Sequence, residues 1–185
     1  MGFTRSEPLL PSSRRTISVT VLAVFALWLV IPGTASAGEA RSIGILDRCD
    51  PDSFNAVLGD GACVMRNGGV SFDTFLERVN PKDGGHNAWR FTPGQVRLSR
   101  GQFLRLDNRG GEGHTFTEVV NFGGGFVPEL NAALPPGTPL AQPIGDLRFI
   151  GAGEQIDLQV PAAGTHLFEC LIHPWMRTTV AQTSG

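Results

Sequence analysis

The sequence predicts an all-β domain, either a sandwich or a barrel. Over roughly the last hundred residues, short segments alternate apolar and polar side chains with the period of two that β-strands have. The chain also contains 24 glycines and 13 prolines, many of which lie between these segments as turn residues. Short strands separated by turns, with little helix, are typical of sandwiches and barrels.

Residues 1–37 have the features of a signal peptide. Three arginines precede the low-polarity run 17–31, and small residues follow it, ending in the A-x-A cleavage pattern at 35–37. The run has 15 residues, whereas a bilayer-spanning helix needs about 20. We therefore predict cleavage rather than retention as an anchor, and no membrane span in the mature chain. Arg14 and Arg15 partly match a twin-arginine signature, so export by either the Sec or the twin-arginine route is open.

The three cysteines agree with an exported protein that is periplasmic or extracellular. In an oxidising compartment cysteines tend to pair, and Cys49 and Cys63 flank a short segment that makes them natural disulfide partners. Cys170 is then left over, which marks it as a reactive thiol or a metal ligand.

Residues 38–85 are predicted to form an N-terminal helical extension and a linker. The stretch 38–47 has the composition of a small polar tail. Apolar side chains between Phe72 and Val79 recur at i, i+3, i+4 and i+7, and Ser71 is a suitable N-cap for this helix. The disulfide would pin the extension in front of the main domain.

Residues 86–185 are predicted to form the β domain. Its strand candidates are 95–100, 102–108, 114–120, 155–160, 165–170 and 177–182. The interval 121–144 has no periodicity, and a loop of this length is usually functional or mobile. We favour a surface excursion that packs on the sandwich edge.

The stretch "FECLIHPWMRTTV" at 168–180 combines a thiol, an imidazole and a thioether in one hairpin. Cys170, His173 and Met176 follow one another at C-x2-H-x2-M spacing, and Pro174 stiffens the turn that carries them. Each residue alone is common in protein cores. Together they form a soft donor set that suits neither Mg²⁺ nor Ca²⁺, and structural zinc sites seldom include methionine. Two histidines, one cysteine and a weak methionine are the ligands of blue-copper centres, so a second histidine is expected.

Three other histidines could supply that ligand. His114 begins the candidate strand 114–120 after a glycine-rich turn, and ligands commonly lie at strand ends. His86 lies in a turn before the β domain, and His166 shares a strand face with Cys170, as a packing residue or a neighbour of the site would. We favour His114.

With these residues in place, the chain resembles the cupredoxin family of plastocyanin and azurin relatives. The resemblance rests on "GQFLRLDNRGGEGHTFTEV" and "AGTHLFECLIHPWMRTTV", and it covers roughly residues 89–182 without the long loop. The ligand loop is similar to that of amicyanin. The resemblance implies a Greek-key β-sandwich with one mononuclear type 1 (blue) copper, bound by His114, Cys170, His173 and Met176, that carries single electrons.

The chain departs from the family pattern at three points. Thr115 stands where an asparagine usually binds the cysteine loop, although its hydroxyl could substitute. His166 occupies the position of a habitual aromatic residue four before the cysteine. The helical segment 46–80 is not part of the basic fold.

The expected function is electron carriage between redox partners by a monomeric protein that is not an enzyme. We expect partners to dock near the ring edge of His173, on an apolar patch with Pro174 and Trp175, although Trp175 could equally be core packing. A multicopper oxidase needs more than four histidines, and a Cys/His hydrolase lacks a third orienting group here. With 15 basic and 17 acidic residues the chain has no sign of nucleic-acid binding. The alternative is an extracytoplasmic copper protein for storage, delivery or resistance.

Overall fold

Ten strands, two α-helices and one short 3-10 helix make up the part of the chain that the structure describes. The structure is a computed structural model, and it describes residues 1–2 and 38–184. The predicted signal peptide, with its cleavage site and its twin-arginine pair, therefore lies outside the described residues apart from residues 1–2. The described residues 38–184 belong to one compact unit. The strands are β1 Ala40–Leu46, β2 Arg90–Thr92, β3 Gln95–Leu98, β4 Phe103–Asn108, β5 His114–Thr115, β6 Thr117–Val119, β7 Phe149–Ile150, β8 Gln155–Leu158, β9 Gly164–Glu169 and β10 Arg177–Gln182.

The strands form two mixed four-stranded sheets and one two-stranded sheet. The first sheet has the order β2-β1-β4-β8 and the second β3-β10-β9-β6. The parallel pairs are β1 with β4 and β10 with β3, and the other pairs are antiparallel. Buried side chains of both sheets belong to a single hydrophobic cluster, for example Leu104 and Leu106 from the first and Phe168 and Val180 from the second. The mostly-β prediction is confirmed.

Five of the six strand candidates are confirmed as β3, β4, β8, β9 and β10, with ends within two residues of the predicted ones. The sixth, at 114–120, divides at Phe116. Its first part, β5, pairs with β7, whereas its second part, β6, pairs with β9 of the second sheet. His114 thus lies where the chain passes from one sheet to another.

The prediction of a polar tail at 38–47 is wrong, because residues 40–46 form the inner strand β1. Ile43 and Ile45 are fully buried, and β1 lies between β2 and β4. The strand begins with small and charged residues and has only a short buried stretch, so its local pattern is weak. Its pairing with β4 joins residues about sixty positions apart, and local periodicity carries no trace of such a partner.

The next segment holds two short helices, and the predicted disulfide is confirmed. Helix α1, Pro51–Leu58, begins after Asp50, whose side chain accepts from the Ser53 N–H. Helix α2, Phe72–Glu77, begins after the predicted cap Ser71. Cys49 and Cys63 are bonded.

The segment does not stand apart from the sheets. Phe54 of α1 and Phe75 of α2 are buried against Trp89 in the same hydrophobic cluster as the strands, with ring centroids 5.8 and 4.6 Å from that of the indole. Within residues 38–184, no helix is both long enough and apolar enough to cross a bilayer.

Candidate metal centre

The hairpin of β9 and β10 holds Cys170 at the end of its first strand. The Cys170 N–H donates to the Met176 carbonyl at 3.0 Å, and the Met176 N–H donates to the His173 carbonyl at 2.9 Å. The His173 N–H points at the Cys170 sulfur, 3.5 Å away. These contacts close the loop on itself, so the three side chains are presented by a turn with little freedom.

His114 reaches the same point from the other side. Its Nδ1 lies 3.7 Å from the Cys170 sulfur, and the His173 Nδ1 lies 4.0 Å from that sulfur. Cys170 and His114 are fully buried and His173 is 3% exposed. Met176 is also fully buried, directly before β10. The structure thus brings one sulfur and two imidazole nitrogens within 4.8 Å of one another.

The other two histidines make separate contacts. His166 bonds to Glu118 Oε1 at 2.7 Å and to the Ala162 carbonyl at 3.0 Å. The ring of His86 packs against Trp89 at 5.3 Å, and its Nδ1 accepts from the Ala88 N–H.

The surroundings favour a thiolate at Cys170. Burial alone raises the pKa of the thiol, but the contacts with His114 and His173 outweigh it, and the pKa falls well below its ordinary value. Burial lowers the pKa of His114, whereas Asp47 and Cys170 raise it, and the balance brings it to about 10. A deprotonated sulfur is the form that binds a metal.

Asp47 is a site residue that the sequence did not reveal. It follows β1, and its Oδ2 lies 2.8 Å from the His114 Nε2, with both side chains fully buried. Burial raises the pKa of Asp47, but the hydrogen bond with His114 and the backbone N–H groups of Gly111 and Glu112 outweigh it and lower the pKa. An acidic residue directly after a strand is a candidate site residue. Asp47 was not recognised as one because strand β1 was not predicted.

Glu112 is a second buried carboxylate that was missed. Its Oε2 lies 3.9 Å from the His173 Nε2 and accepts a short hydrogen bond from the Trp89 indole. Burial raises the pKa of Glu112. Its place two residues before His114, in a glycine-rich turn, was visible, but nothing local indicated that it faces the other histidine.

Thr115 connects β5 to the cysteine loop. Its hydroxyl accepts from the Leu171 N–H at 2.7 Å, next to Cys170 in the chain. This is the contact expected of the hydroxyl in place of an asparagine side chain.

The long interval 121–144 packs on the cysteine loop. The Phe126 N–H donates to the Leu171 carbonyl at 2.6 Å, and Gly125 lies so close to Leu171 that a Cβ there would overlap its backbone. Two further contacts join Gly123 to the hairpin, from its N–H to Glu169 and from Arg177 to its carbonyl. The interval also packs on β6, the edge strand of the second sheet, as expected: the Val120 N–H donates to the Gln142 carbonyl at 2.9 Å and the Ile144 N–H to the Glu118 carbonyl at 2.7 Å. It therefore supports the cysteine loop in addition to covering the sandwich edge.

His173 does not expose its ring edge as the sequence suggested. Its ring lies 5.9 Å from that of Phe75, 6.4 Å from Trp89 and 5.5 Å from Trp175. Pro174 is buried and Trp175 is half-buried. The helical segment covers the histidine, because Phe75 belongs to α2.

A mostly apolar cavity of about 700 Å³ leads to His173 from the surface. The polar side chains that line it are those of Glu112, Glu129 and His173, and aromatic rings of α1 and α2 line much of the rest. Several large apolar side chains at this cavity are exposed, among them Leu58 at 55% and Phe149 at 62%. We call Leu58, Leu76 and Phe149 the apolar rim.

The donor set fits a soft, redox-active metal. A thiolate sulfur and two imidazole nitrogens converge, and the buried thioether of Met176 lies in the same loop. Mg²⁺ and Ca²⁺ prefer oxygen ligands, so a set of one thiolate and two imidazoles suits them poorly. Copper accepts thiolate, imidazole and thioether ligands together.

Comparison with known proteins gives structural likeness at low identity. No protein-family model matches the chain, and no curated protein sequence does. Among solved structures it is similar to a purple cupredoxin from Nitrosopumilus maritimus, with 14% identity, a TM-score of 0.39, and coverage of 57% of this chain and 95% of that one. It is also similar to a mutant of amicyanin in its Cu(I) form, with 17% identity, a TM-score of 0.35, and coverage of 51% of this chain and 73% of that one. For the oxidised plastocyanin of Dryopteris crassirhizoma the identity is 19% and the TM-score 0.34, and the match covers 54% of this chain and 91% of that one. Similarity of this extent does not assign a family, so the case for a metal centre rests on the side chains above.

Proposed function

We propose that this protein binds one copper ion at a type 1 centre and carries single electrons between redox partners. The proposed ligands are His114, Cys170, His173 and Met176, in a Greek-key cupredoxin sandwich. The observation that carries the proposal is the convergence of the Cys170 sulfur with two imidazole Nδ1 atoms at 3.7 and 4.0 Å in a buried site.

Copper held by such ligands gains and loses one electron without a change of ligands. The chain contributes rigidity to this exchange. The ligand loop is held by hydrogen bonds from several sides. Cys170 and Met176 bond within the loop, and the Thr115 hydroxyl and the backbone of Phe126 bond to it from outside. A site that does not rearrange between two oxidation states is what an electron carrier needs.

We also propose that the protein is not an enzyme. The proposed ligands are at most 3% exposed, and His114, Cys170 and Met176 do not line the cavity that reaches His173, so a substrate in this cavity would meet only the His173 ring. Electrons would instead pass through the ring of His173, towards the cavity that it lines.

Redox partners would dock over this cavity. The apolar rim supplies exposed hydrophobic area beside His173, suited to brief association. This surface takes the place of the patch around Pro174 and Trp175, because Pro174 is buried. A monomeric, exported protein, periplasmic or extracellular, remains our proposal for its state and location.

Copper storage or delivery is the other candidate for the same ligands. Delivery needs ligands that a partner can reach and displace. Burial of both the cysteine and His114 to 0% exposure favours retention of the metal, and therefore electron carriage.

A visible spectrum of the copper(II)-loaded protein tests the proposal, with Cys170→Ala as the variant. Because the colour of a type 1 centre comes from charge transfer out of the thiolate, we expect an intense band that Cys170→Ala abolishes. His86→Ala is the matched control and should keep the band, since His86 contacts Trp89 and Ala88 instead.

Absence of the band in the wild-type protein would refute the type 1 assignment. A blue protein that cannot be reduced and reoxidised reversibly in voltammetry would instead support storage.

A further inference from the structure

Asp47 is a buried carboxylate beside the candidate metal centre, and it is not one of the candidate ligands. Its side chain is fully buried, and it directly follows β1, a different part of the fold from the candidate ligand loop. Both of its oxygens are used. Oδ1 accepts from the N–H groups of Gly111 at 2.8 Å and Cys49 at 3.4 Å, and Oδ2 accepts from the Glu112 N–H at 3.1 Å.

The fourth contact of this carboxylate is the His114 Nε2 at 2.8 Å. Backbone N–H groups can only donate, so they hold Asp47 as an acceptor. The His114 Nε2 must then carry a proton towards Asp47, so Nδ1, which faces Cys170, is the nitrogen whose lone pair would be available to a metal. The hydrogen-bond pattern thus selects one tautomer of the histidine.

In the described part of the chain, no lysine or arginine side chain lies beside the carboxylate of Asp47 to offset its charge. Among the ion pairs of the described residues, its partner is His114 and no lysine or arginine. A buried carboxylate hydrogen-bonded to a ligand histidine makes that ligand more basic and adds negative charge close to the metal. Negative charge stabilises the more highly charged, oxidised form of the metal.

We propose that Asp47 is a positioning residue that fixes the tautomer of His114 and lowers the reduction potential of the centre. This inference rests on the proposed copper function. It also assigns a role to β1 and to the disulfide beside it, since Cys49 supplies one of the N–H groups that hold the carboxylate.

The experiment compares Asp47→Asn with Asp60→Asn, which removes an exposed carboxylate from the same N-terminal segment. An asparagine keeps the size of the side chain but loses the charge. It also turns an NH₂ group towards either the Glu112 N–H or the Cys49 and Gly111 N–H groups. We expect the reduction potential of Asp47→Asn to rise and its affinity for copper(II) to fall about 10–100-fold. The affinity for copper(I) should fall less, and Asp60→Asn should match the wild type in all three measurements.

Nuclear magnetic resonance of the copper(I) form tests the hydrogen bond between His114 and Asp47 independently, even if Asp47→Asn fails to fold. In the wild-type protein the Nε2 proton of His114 should give a slowly exchanging downfield signal coupled to its ring nitrogen. An Nε2 proton of His114 without the downfield shift of a hydrogen bond to a carboxylate, or an Asp47→Asn potential equal to that of Asp60→Asn, would overturn the proposal.

The two levels of inference fail in different ways. A wild-type protein that lacks the thiolate band contradicts the copper function itself. A wild-type protein with a normal band, and with a potential that Asp47→Asn leaves unchanged, contradicts only the role of Asp47.

Discussion

Thr115 and Thr117 show how differently two neighbouring buried hydroxyls can contribute to one site. Thr115 accepts the Leu171 N–H at 2.7 Å and so ties β5 to the residue after Cys170. The Thr117 hydroxyl is fully buried and has no hydrogen-bond partner among the described residues. The same side chain therefore holds the ligand loop at one position and carries an unpaired polar group at the other.

Replacing Thr115 with valine should destabilise the protein by about 1–3 kcal/mol, because the buried Leu171 N–H loses its acceptor while the side-chain shape is kept. Urea unfolding followed by circular dichroism measures the change. Thr117→Val is the matched control, and it should leave the free energy of unfolding unchanged or raise it. Equal losses in the two variants would show that the Thr115 hydroxyl does not secure the loop.

The residues of the candidate ligand loop could be singled out from the sequence because their spacing is local. Cys170, His173 and Met176 lie within seven positions, and His114 was the best placed of the remaining histidines. Asp47 and Glu112 could not be found in the same way. Each faces a histidine through the tertiary fold, Asp47 across 67 positions and Glu112 across about sixty, and the sequence holds no local pattern for such a contact.

Helix α2 and strand β1 show which elements can be predicted from the periodicity of apolar residues and which cannot. Helix α2 has its cap and its apolar face within a few residues, so its existence was readable. Strand β1 has few buried residues of its own and is stabilised by pairing with β2 and β4 on either side. Strands β2 and β7 have only three and two residues, too few for an alternation to be recognised.

A fragment that starts at the predicted domain boundary, residues 86–185, should not fold cooperatively. It lacks β1, so β2 and β4 lose the strand between them, and it lacks Asp47 and the helices that cover Trp89 and His173. Residues 38–185 are the matched control and should give a single sigmoidal urea transition. A cooperative transition in the shorter fragment would mean that the segment 38–85 is a dispensable extension after all.

At the scale of the whole molecule, the covered histidine and the apolar rim belong together. The helical segment buries the ring of His173, so we expect a redox partner to make contact over the cavity instead of directly at the ring. The predicted signal peptide holds three of the 15 basic and one of the 17 acidic residues. Without it the chain has 12 basic and 16 acidic residues, and a formal net charge of −4 gives only modest long-range repulsion between copies. Association over the rim should therefore depend mainly on apolar contact.

Leu58→Ser should slow electron exchange between oxidised and reduced copies, measured from nuclear magnetic resonance line widths in mixtures of the two forms. Burying a leucine side chain contributes about 1.5–3 kcal/mol, and loss of about 1.4 kcal/mol from the encounter complex lowers the rate roughly tenfold. Leu140→Ser is the matched control, because Leu140 is 64% exposed, compared with 55% for Leu58, and does not line the cavity. The visible band and the reduction potential should be the same in both variants, since both leucines are exposed on the surface whereas the proposed ligands are buried. If Leu58→Ser and Leu140→Ser exchange electrons at the wild-type rate, the apolar rim is not the docking surface, and electrons leave the centre by another face.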